Sequence, residues 1–321
     1  MLDRNLRATV IYNPMSGTLN AEAALPGALD VLRSFGWQVD VQATTCAGDA
    51  GRLAALARDQ HRQVVLIVGG DGSLNEAANA LAHSKVVLGA LPSGTANVWA
   101  RQVGLPVPNP LLPNRLAEAA QMLLDGSIRP IDLGRARDRY FVMWSGIGLD
   151  AEVTATIEPR PKWSKRLGVI SYSVHALLTM LRFRGTRMNV IVDERRIKCR
   201  ALMVLVSNAQ LYGGIAEIAP DAKLDDGLLD VRIFKGDSFW QALRHMLRVI
   251  LRRRVPDREL IEARGRRISV AARRKCYVHV DAEPCDRTPI TIEIAPLALQ
   301  MIVPANVSAA LFVDQRNFHT D

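Results

Sequence analysis

The stretch VVLIVGGDGSLNEAANALA, residues 64–82, constrains the chain more than any other. Its β-branched apolar start, Val64 to Val68, reads as a buried strand that stops at Gly69-Gly70-Asp71-Gly72. A helix-compatible segment follows from near Ser73. Three glycines in four residues require either positive φ or a close approach of the backbone to another group. A glycine-rich turn between a buried strand and a helix N-terminus aims amide N–H groups at one spot, where they and the helix dipole favour phosphate. Asp71 is a carboxylate among donors that suit an anion. It makes sense there if it holds Mg2+ against phosphates or orients a water. The competing reading is a tight strand-to-helix connection with a capping Asp.

The same grammar recurs on both sides of this stretch. Ala8 to Tyr12 reads as a strand ending in Asn13-Pro14-Met15-Ser16-Gly17. A helix over Asn20 to Phe35, a strand over Val39 to Thr44 and a helix over Asp49 to His61 follow. Val86 to Ala90 is a fourth strand, ending in Leu91-Pro92-Ser93-Gly94-Thr95-Ala96-Asn97, with a helix through Val103 beyond it. Alternating strands and helices imply a parallel sheet covered on both faces. Ligands of such sheets bind at the carboxyl ends of the strands. The loops there are NPMSG, TTCAGD, GGDGS and LPSGTAN, all rich in small donors, and four converging loops favour phosphate over ordinary turns. Several prolines over 106–113 mark an irregular connection, and Arg115 to Leu124 reads as a helix.

From Tyr140 the texture changes to short strand-like runs: 140–144, 188–192, 201–207, 229–234, 268–271, 277–280, 290–294 and 300–303. That spacing predicts an antiparallel sandwich or barrel. Two helical inserts interrupt it. One covers Lys165 to Phe183. The other, Phe239 to Arg254, carries Trp240, Leu243, Leu247 and Ile250 or Leu251 on an apolar stripe with Arg244, Arg248 and Arg252 to Arg254 beside it. A basic amphipathic helix can lie on an anionic membrane surface. A core-facing helix with a solvated basic face has the same pattern.

Charge separates the two parts. Residues 1–133 hold ten basic and eleven acidic side chains; the rest hold thirty-one and twenty-one, so the +9 net charge belongs to the second part. An anionic partner is expected there. Nucleic acid is disfavoured, because aromatics make up only 5% of residues and do not interleave with the basic ones. Cys46, Cys199, Cys276 and Cys285 form no CxxC pair and read as reduced thiols of a cytoplasmic protein. No signal peptide and no membrane-spanning run is expected. The six histidines show no ligand spacing, and none is assigned to a site.

The motifs together resemble the diacylglycerol kinase catalytic-domain family, and within it the bacterial lipid kinases related to sphingosine and ceramide kinases. The matching pieces are NPMSG at 13–17, GGDGSLNE at 69–76, LPSGTAN at 91–97, IDLG at 131–134, SGIGLDAEV at 145–153, YGG at 212–214, DDGLLDV at 225–231 and DAEP at 281–284. GGDG alone is similar to NAD kinases and phosphofructokinases; the later motifs separate the chain from those. The resemblance implies an α/β plus all-β protein. Its parts would be an N-terminal parallel-sheet nucleotide domain over 1–133, rejoined by 304–321, and a C-terminal antiparallel sandwich with helical inserts over 134–303 that covers the lipid. It implies that ATP lies between the domains. ATP would touch Asn13, Pro14, Ser16, Gly17, Thr44, the Gly70-Asp71-Gly72-Ser73 turn, Asn75, Glu76, Gly94 and Thr95. It implies Glu283 as the catalytic acidic residue, assisted by Asp281, and Asp71 near a catalytic Mg2+ with Asp132 close by. A second, structural Mg2+ would take Asp226 and the carbonyls of Lys223 and Leu228, whose hard oxygens suit that ion. From the residues alone, Asp281-Ala282-Glu283-Pro284 also reads as a polar hairpin turn, and the Asp-Gly at 226–227 as a type I turn. Val98 stands where many bacterial relatives carry an acidic residue, so an acidic network around the metal would lose one member.

The expected function is an ATP-dependent lipid kinase with Glu283 as general base, lying in the cytoplasm in peripheral contact with an anionic membrane, without nucleic acid, and able to form a homodimer through a sheet edge. Two further readings remain open: a kinase of a soluble metabolite, and a catalytically weak nucleotide- or lipid-binding regulator.

Overall fold

A computed structural model describes residues 2–17, 21–108, 112, 114–157, 179, 181–214, 216–250 and 258–313. The insert expected over Lys165 to Phe183 lies almost wholly outside these residues, as do Leu251 to Arg254. The described chain is α/β followed by antiparallel β, and it divides into two compact units. Unit 1 comprises residues 1–133, 223–226 and 296–321; unit 2 comprises 134–222 and 227–295.

Unit 1 is a parallel sheet with strand order β2 (Gln38–Ala43), β1 (Arg7–Tyr12), β3 (Val64–Gly69), β4 (Val87–Pro92), closed by the end of the last strand through Gln300 and Met301. Every residue of β3 and β4 is buried, as expected of strands covered on both faces. Helices α1 (Ala21–Ser34) and α5 (Arg115–Leu124) pack together, as do α2 (Asp49–Asp59) and α3 (Asp71–Leu81). Right-handed crossovers place the two pairs on opposite faces. Tyr12 pairs with Ala43 and Val68, and Gly69 with Pro92, so the carboxyl ends form one row.

The helix after the glycine turn begins at Asp71, two residues before the expected start. Gly70 is extended (φ −94°, ψ −176°) and acts as the N-cap, so no extra loop residues are needed. A short helix α4 (Val98–Val103) follows β4.

Unit 2 is antiparallel throughout. The thirteen-residue β9 (Arg195–Ser207) is its axis. Along one edge it pairs with β8 (Thr186–Val192) and then β7 (Trp144–Gly148); along the other it pairs with β12 (Leu229–Lys235). β15 (Tyr277–Val280) joins β7, and β14 (Arg267–Ala272) joins β8. Phe141, Ile147, Val190, Val204, Val231 and Val280 are among the apolar residues that fill the core.

Three departures from the sequence reading have physical causes. The strand expected over Tyr140–Trp144 is two, β6 (Arg139–Phe141) and β7, because the amides of Val142, Met143 and Trp144 donate to the Asp281 carboxylate. The runs at 290–294 and 300–303 belong to one strand, β17 (Ile290–Val303), which passes from unit 2 into unit 1. The polar strands β13 (Leu260–Gly265) and β16 (Glu283–Arg287) carry too little apolar alternation to be read beforehand. In helix α7 (Phe239–Ile250) the expected stripe is split. Phe239, Ala242 and Leu243 pack with Leu149, Val153, Phe183 and Leu202, whereas Trp240 and Leu247 face solvent. Among the described residues no helix is long and apolar enough to cross a membrane.

Candidate functional site

In unit 1 three of the motif loops are pressed against one another. A Cβ on Gly94 would lie 2.5 Å from the Cα of Gly70, and one on Gly17 would lie 2.0 Å from the carbonyl oxygen of Ser93. Gly17 also has φ +71°, so glycine is required twice over. Gly70 sits within reach of Ser16, since a Cβ there would come 3.7 Å from its hydroxyl. None of Gly69, Gly70 and Gly72 has a positive φ, and the close approach is made by Gly94 against Gly70. Asn13 ties the first loop to the second: its Nδ2 donates to Ser73 Oγ (3.4 Å), and its Oδ1 accepts from the Met15 amide (2.9 Å). Asn97 closes the third by bonding both the amide (2.8 Å) and the carbonyl (2.7 Å) of Gly94.

This cradle fits phosphate. Its walls are glycine backbone and small hydroxyls, and Ser93 Oγ is buried with no hydrogen-bond partner. A buried hydroxyl normally has a partner, and a ligand oxygen would supply one. Ser93 was not singled out in the sequence, although it lies inside the LPSGTAN motif. Thr95 is exposed on the third loop, Pro14 is exposed on the first, and Thr44 is buried just past β2, its amide bonded to the Tyr12 carbonyl. A cavity of about 680 Å3 at the amino ends of β3 and β4, lined by Leu6, Arg58, His61 and Val86 among others, holds none of the motif residues.

The acidic residues of this region are held by helix starts. Asp71 is half-buried, and its two oxygens accept the amides of Val98 (3.0 Å) and Trp99 (3.1 Å), capping α4 rather than its own helix. Burial pushes its pKa up, and those two amides oppose the shift. Val98 is itself buried, so the apolar residue there spares the protein a buried carboxylate next to that of Asp71. Glu76 accepts the amides of Gly48 (2.9 Å) and Ala50 (3.1 Å) at the start of α2, and the Asn75 side chain is bonded to Asn79. The structure thus gathers Asn13, Ser16, Gly17, Gly70, Ser73 and Gly94, whereas Asn75 and Glu76 spend their side chains on neighbouring protein groups.

No group of three His, Cys, Asp or Glu among the described residues could hold a metal by itself. A Mg2+ that arrives with phosphates needs only one or two carboxylates, and Asp71 fits that demand. Of the second proposed set, Lys223 and Asp226 belong to unit 1 and Leu228 to unit 2. The unit 1 part of that loop is well fixed: Leu224 donates to Leu311 (2.8 Å) and accepts from the buried Asp132 (2.6 Å), and Asp225 accepts from the Val313 amide (2.7 Å). Asp132 Oδ1 accepts the Leu297 amide (2.7 Å).

In unit 2 the DAEP motif is a two-residue hairpin. Val280 pairs with Glu283, and Asp281 (φ 45°) and Ala282 (φ 63°) form the turn. Asp281 is buried and accepts three amides, from Val142 (2.8 Å), Met143 (3.0 Å) and Trp144 (3.0 Å). Glu283 is part-exposed and ion-paired with Arg139 Nη2 (2.6 Å). Ala282 is a non-glycine residue in a left-handed conformation. Ala282→Gly is therefore expected to raise stability by ~1 kcal/mol. A urea midpoint that does not rise would contradict this.

Behind the turn lies a buried cluster that the sequence reading missed. The Ala282 amide donates to His279 Nδ1 (3.2 Å), so in the neutral ring the hydrogen sits on Nε2, which meets Asp150 Oδ2. Tyr212 donates its hydroxyl to Asp150 Oδ1. Burial pushes the Asp150 pKa up, but His279 and Tyr212 outweigh it and hold it below the usual carboxylate value. Gly146 makes room: a Cβ there would fall 2.2 Å from Asp150 Oδ2 and 2.3 Å from His279 Nε2. Asp150 and Tyr212 lie in the SGIGLDAEV and YGG motifs, which were the available signal; nothing marked His279.

Comparison with known proteins agrees with this arrangement. Residues 7–136 match the diacylglycerol kinase catalytic domain, and residues 145–303 match the YegS C-terminal NAD kinase beta sandwich-like domain. The diacylglycerol kinase of Bacillus subtilis (strain 168) is 30% identical over 86% of this chain and 89% of its own length. A protein of Cronobacter sakazakii named "probable lipid kinase YegS-like" is 30% identical over 89% of this chain and 94% of its own. A crystal structure of a diacylglycerol kinase from Bacillus anthracis str. Sterne superposes with a TM-score of 0.72 at 22% identity, covering 96% of this chain and all of that one, and so shares the fold. A phosphate-fitted α/β unit joined to this sandwich defines a kinase, a phosphotransferase whose relatives are named for lipids. The chain belongs to the family of diacylglycerol kinases and YegS lipid kinases.

Proposed function

We propose that the protein transfers the γ-phosphate of ATP to the hydroxyl of a lipid such as diacylglycerol, with Glu283 as general base. The observation that supports this most is the unit 1 cradle: glycine loops in backbone contact beside the buried, unpartnered Ser93 Oγ. Backbone amides of the GGDGS turn and the hydroxyls of Ser16, Ser73, Ser93 and Thr95 would bind the triphosphate. Asn13 and Asn97 keep the loops in register. Mg2+ bound with the nucleotide would offset the developing negative charge, with Asp71 holding it directly or through water. A structural Mg2+ on Asp226 and the carbonyls of Lys223 and Leu228 fits the same ligand chemistry.

Glu283 is suited to the proton transfer. Arg139 takes Oε2 and leaves Oε1 for the acceptor. The lipid hydroxyl gives its proton to Glu283 and forms the new O–P bond. The bond from the γ-phosphorus to the bridging oxygen breaks, and ADP leaves with that electron pair. Asp281 acts by holding the hairpin that carries Glu283.

Purified protein incubated with γ-labelled ATP, Mg2+ and a detergent-dispersed panel of diacylglycerol, monoacylglycerol, sphingosine, ceramide and phosphatidylglycerol tests the reading. NAD and glycerol serve as soluble controls. Label in a lipid is the expected outcome. Label on a soluble control alone, or bound ATP with no transfer, would overturn it.

A further inference from the structure

We infer that one end of unit 2, formed by α7, the part of β9 it packs on and the segments flanking β8 and β14, is a docking surface for an anionic lipid bilayer. The inference rests on the lipid-kinase reading only for its purpose, since the acceptor would reside in a membrane. α7 has already buried one face: Phe239, Ala242 and Leu243 pack against Phe183 and its neighbours. Its other face presents Trp240, 74% exposed, and Leu247, 46% exposed, seven residues apart and so on one side of the helix. Leu181, 46% exposed, lies just before Phe183. Tryptophan with its ring in solvent suits a membrane–water boundary, where one part of the indole is apolar and the N–H is wet.

Exposed arginines line the segments tied to this helix through Phe183 and Asp237. Arg187 stands directly opposite Arg200 in the β8–β9 ladder, and the Arg187 carbonyl accepts the Arg273 amide (2.9 Å). Arg274 lies over the Phe183 ring at 5.2 Å and donates to the Arg184 carbonyl (3.0 Å). Arg200 reaches Asp237 (2.7 Å), two residues ahead of α7, which ties the ladder to the helix. Among these five exposed arginines and the described residues, only Arg200 has an ion-pair partner. Like charges facing each other across a sheet are destabilising, and an anionic surface would relieve that repulsion. Arginines alone would serve a nucleic acid equally well. The exposed Leu181 and Leu247 favour a bilayer, because aliphatic side chains gain nothing from a phosphodiester strand but gain burial in a headgroup layer.

The test is co-sedimentation of the full chain with sucrose-loaded vesicles, without ATP. The chain is expected to pellet with phosphatidylcholine–phosphatidylglycerol vesicles, less so as salt rises, and not with phosphatidylcholine alone. Each arginine that engages contributes about fivefold in partition. Arg187→Glu with Arg273→Glu, and separately Trp240→Ala with Leu247→Ala, should each lower partition by roughly tenfold or more. Equal binding to neutral vesicles would overturn the inference, as would unchanged partition of both double variants. So would a DNA duplex that binds in a Trp240-independent way while vesicles do not. Transfer of label to a short-chain diacylglycerol in detergent, followed in the same variants, separates the two proposals. Transfer to no lipid, with vesicle binding still dependent on Trp240, would sink the kinase reading and leave the docking surface standing. Retained transfer with Trp240-independent vesicle binding would sink the docking surface alone.

Discussion

Glu283→Gln is expected to lower phosphoryl transfer by ~10²–10⁴-fold, the range for loss of a positioned general base. The amide keeps the size of the side chain and can still meet Arg139, but it cannot take a proton. Glu283 is part-exposed at the start of β16, and the turn behind it is held by Asp281 and His279, not by Glu283 itself. The variant should therefore unfold within a few degrees of the parent and bind ATP with unchanged affinity. The decisive measurement is single-turnover transfer to the lipid found in the panel, alongside ATP titration calorimetry. Transfer within about threefold of the parent would remove Glu283 from the mechanism. Asp281→Asn makes a useful contrast. Three backbone amides point at the Asp281 carboxylate, so its loss should appear first as lowered stability.

The second large effect is expected at Gly94→Ala. The new methyl would sit 2.5 Å from Gly70 Cα and 3.2 Å from Gly70 N, and both are backbone. No flexible side chain can yield, so the third loop must move away from the second. A displacement of that order in a site that depends on positioning costs about 10²-fold, and overpacking costs roughly 1–3 kcal/mol of stability. ATP affinity should fall together with the thermal midpoint. Gly48→Ala is the control. Gly48 has φ +86° but nothing within 4 Å of its Cβ position, so it reports backbone strain without a collision. If both variants bind ATP alike, the contact between loops is not what shapes the site.

Several features of the candidate site were legible from sequence because local chemistry sets them. A buried β-branched run, a glycine turn and a helix-forming segment can be read within twenty residues, and four such loops in a strand–helix alternation leave few topologies. The helix Arg115–Leu124 has the bounds its sequence predicts for the same reason: its period and its ends are local. The antiparallel unit was recognisable in kind but not in detail. β16, the strand that begins at Glu283, has the sequence EPCDR and no apolar rhythm, and it exists because β15 pairs with it.

What the chain by itself determined is therefore the class of fold, the order of the phosphate loops and, through the motif series, the family. What only the tertiary structure decided is the partner of each polar side chain. Asp71 bonds amides 27 and 28 residues away, Asp281 bonds amides 137 to 139 residues away, and His279 meets an Asp150 that lies 129 residues before it. Trp240 and Leu243 looked alike in sequence, yet one is in solvent and the other is packed against a core cluster. Helical period tells which residues share a face. Which face is buried depends on what lies beneath it, and that is fixed only when distant segments pack together.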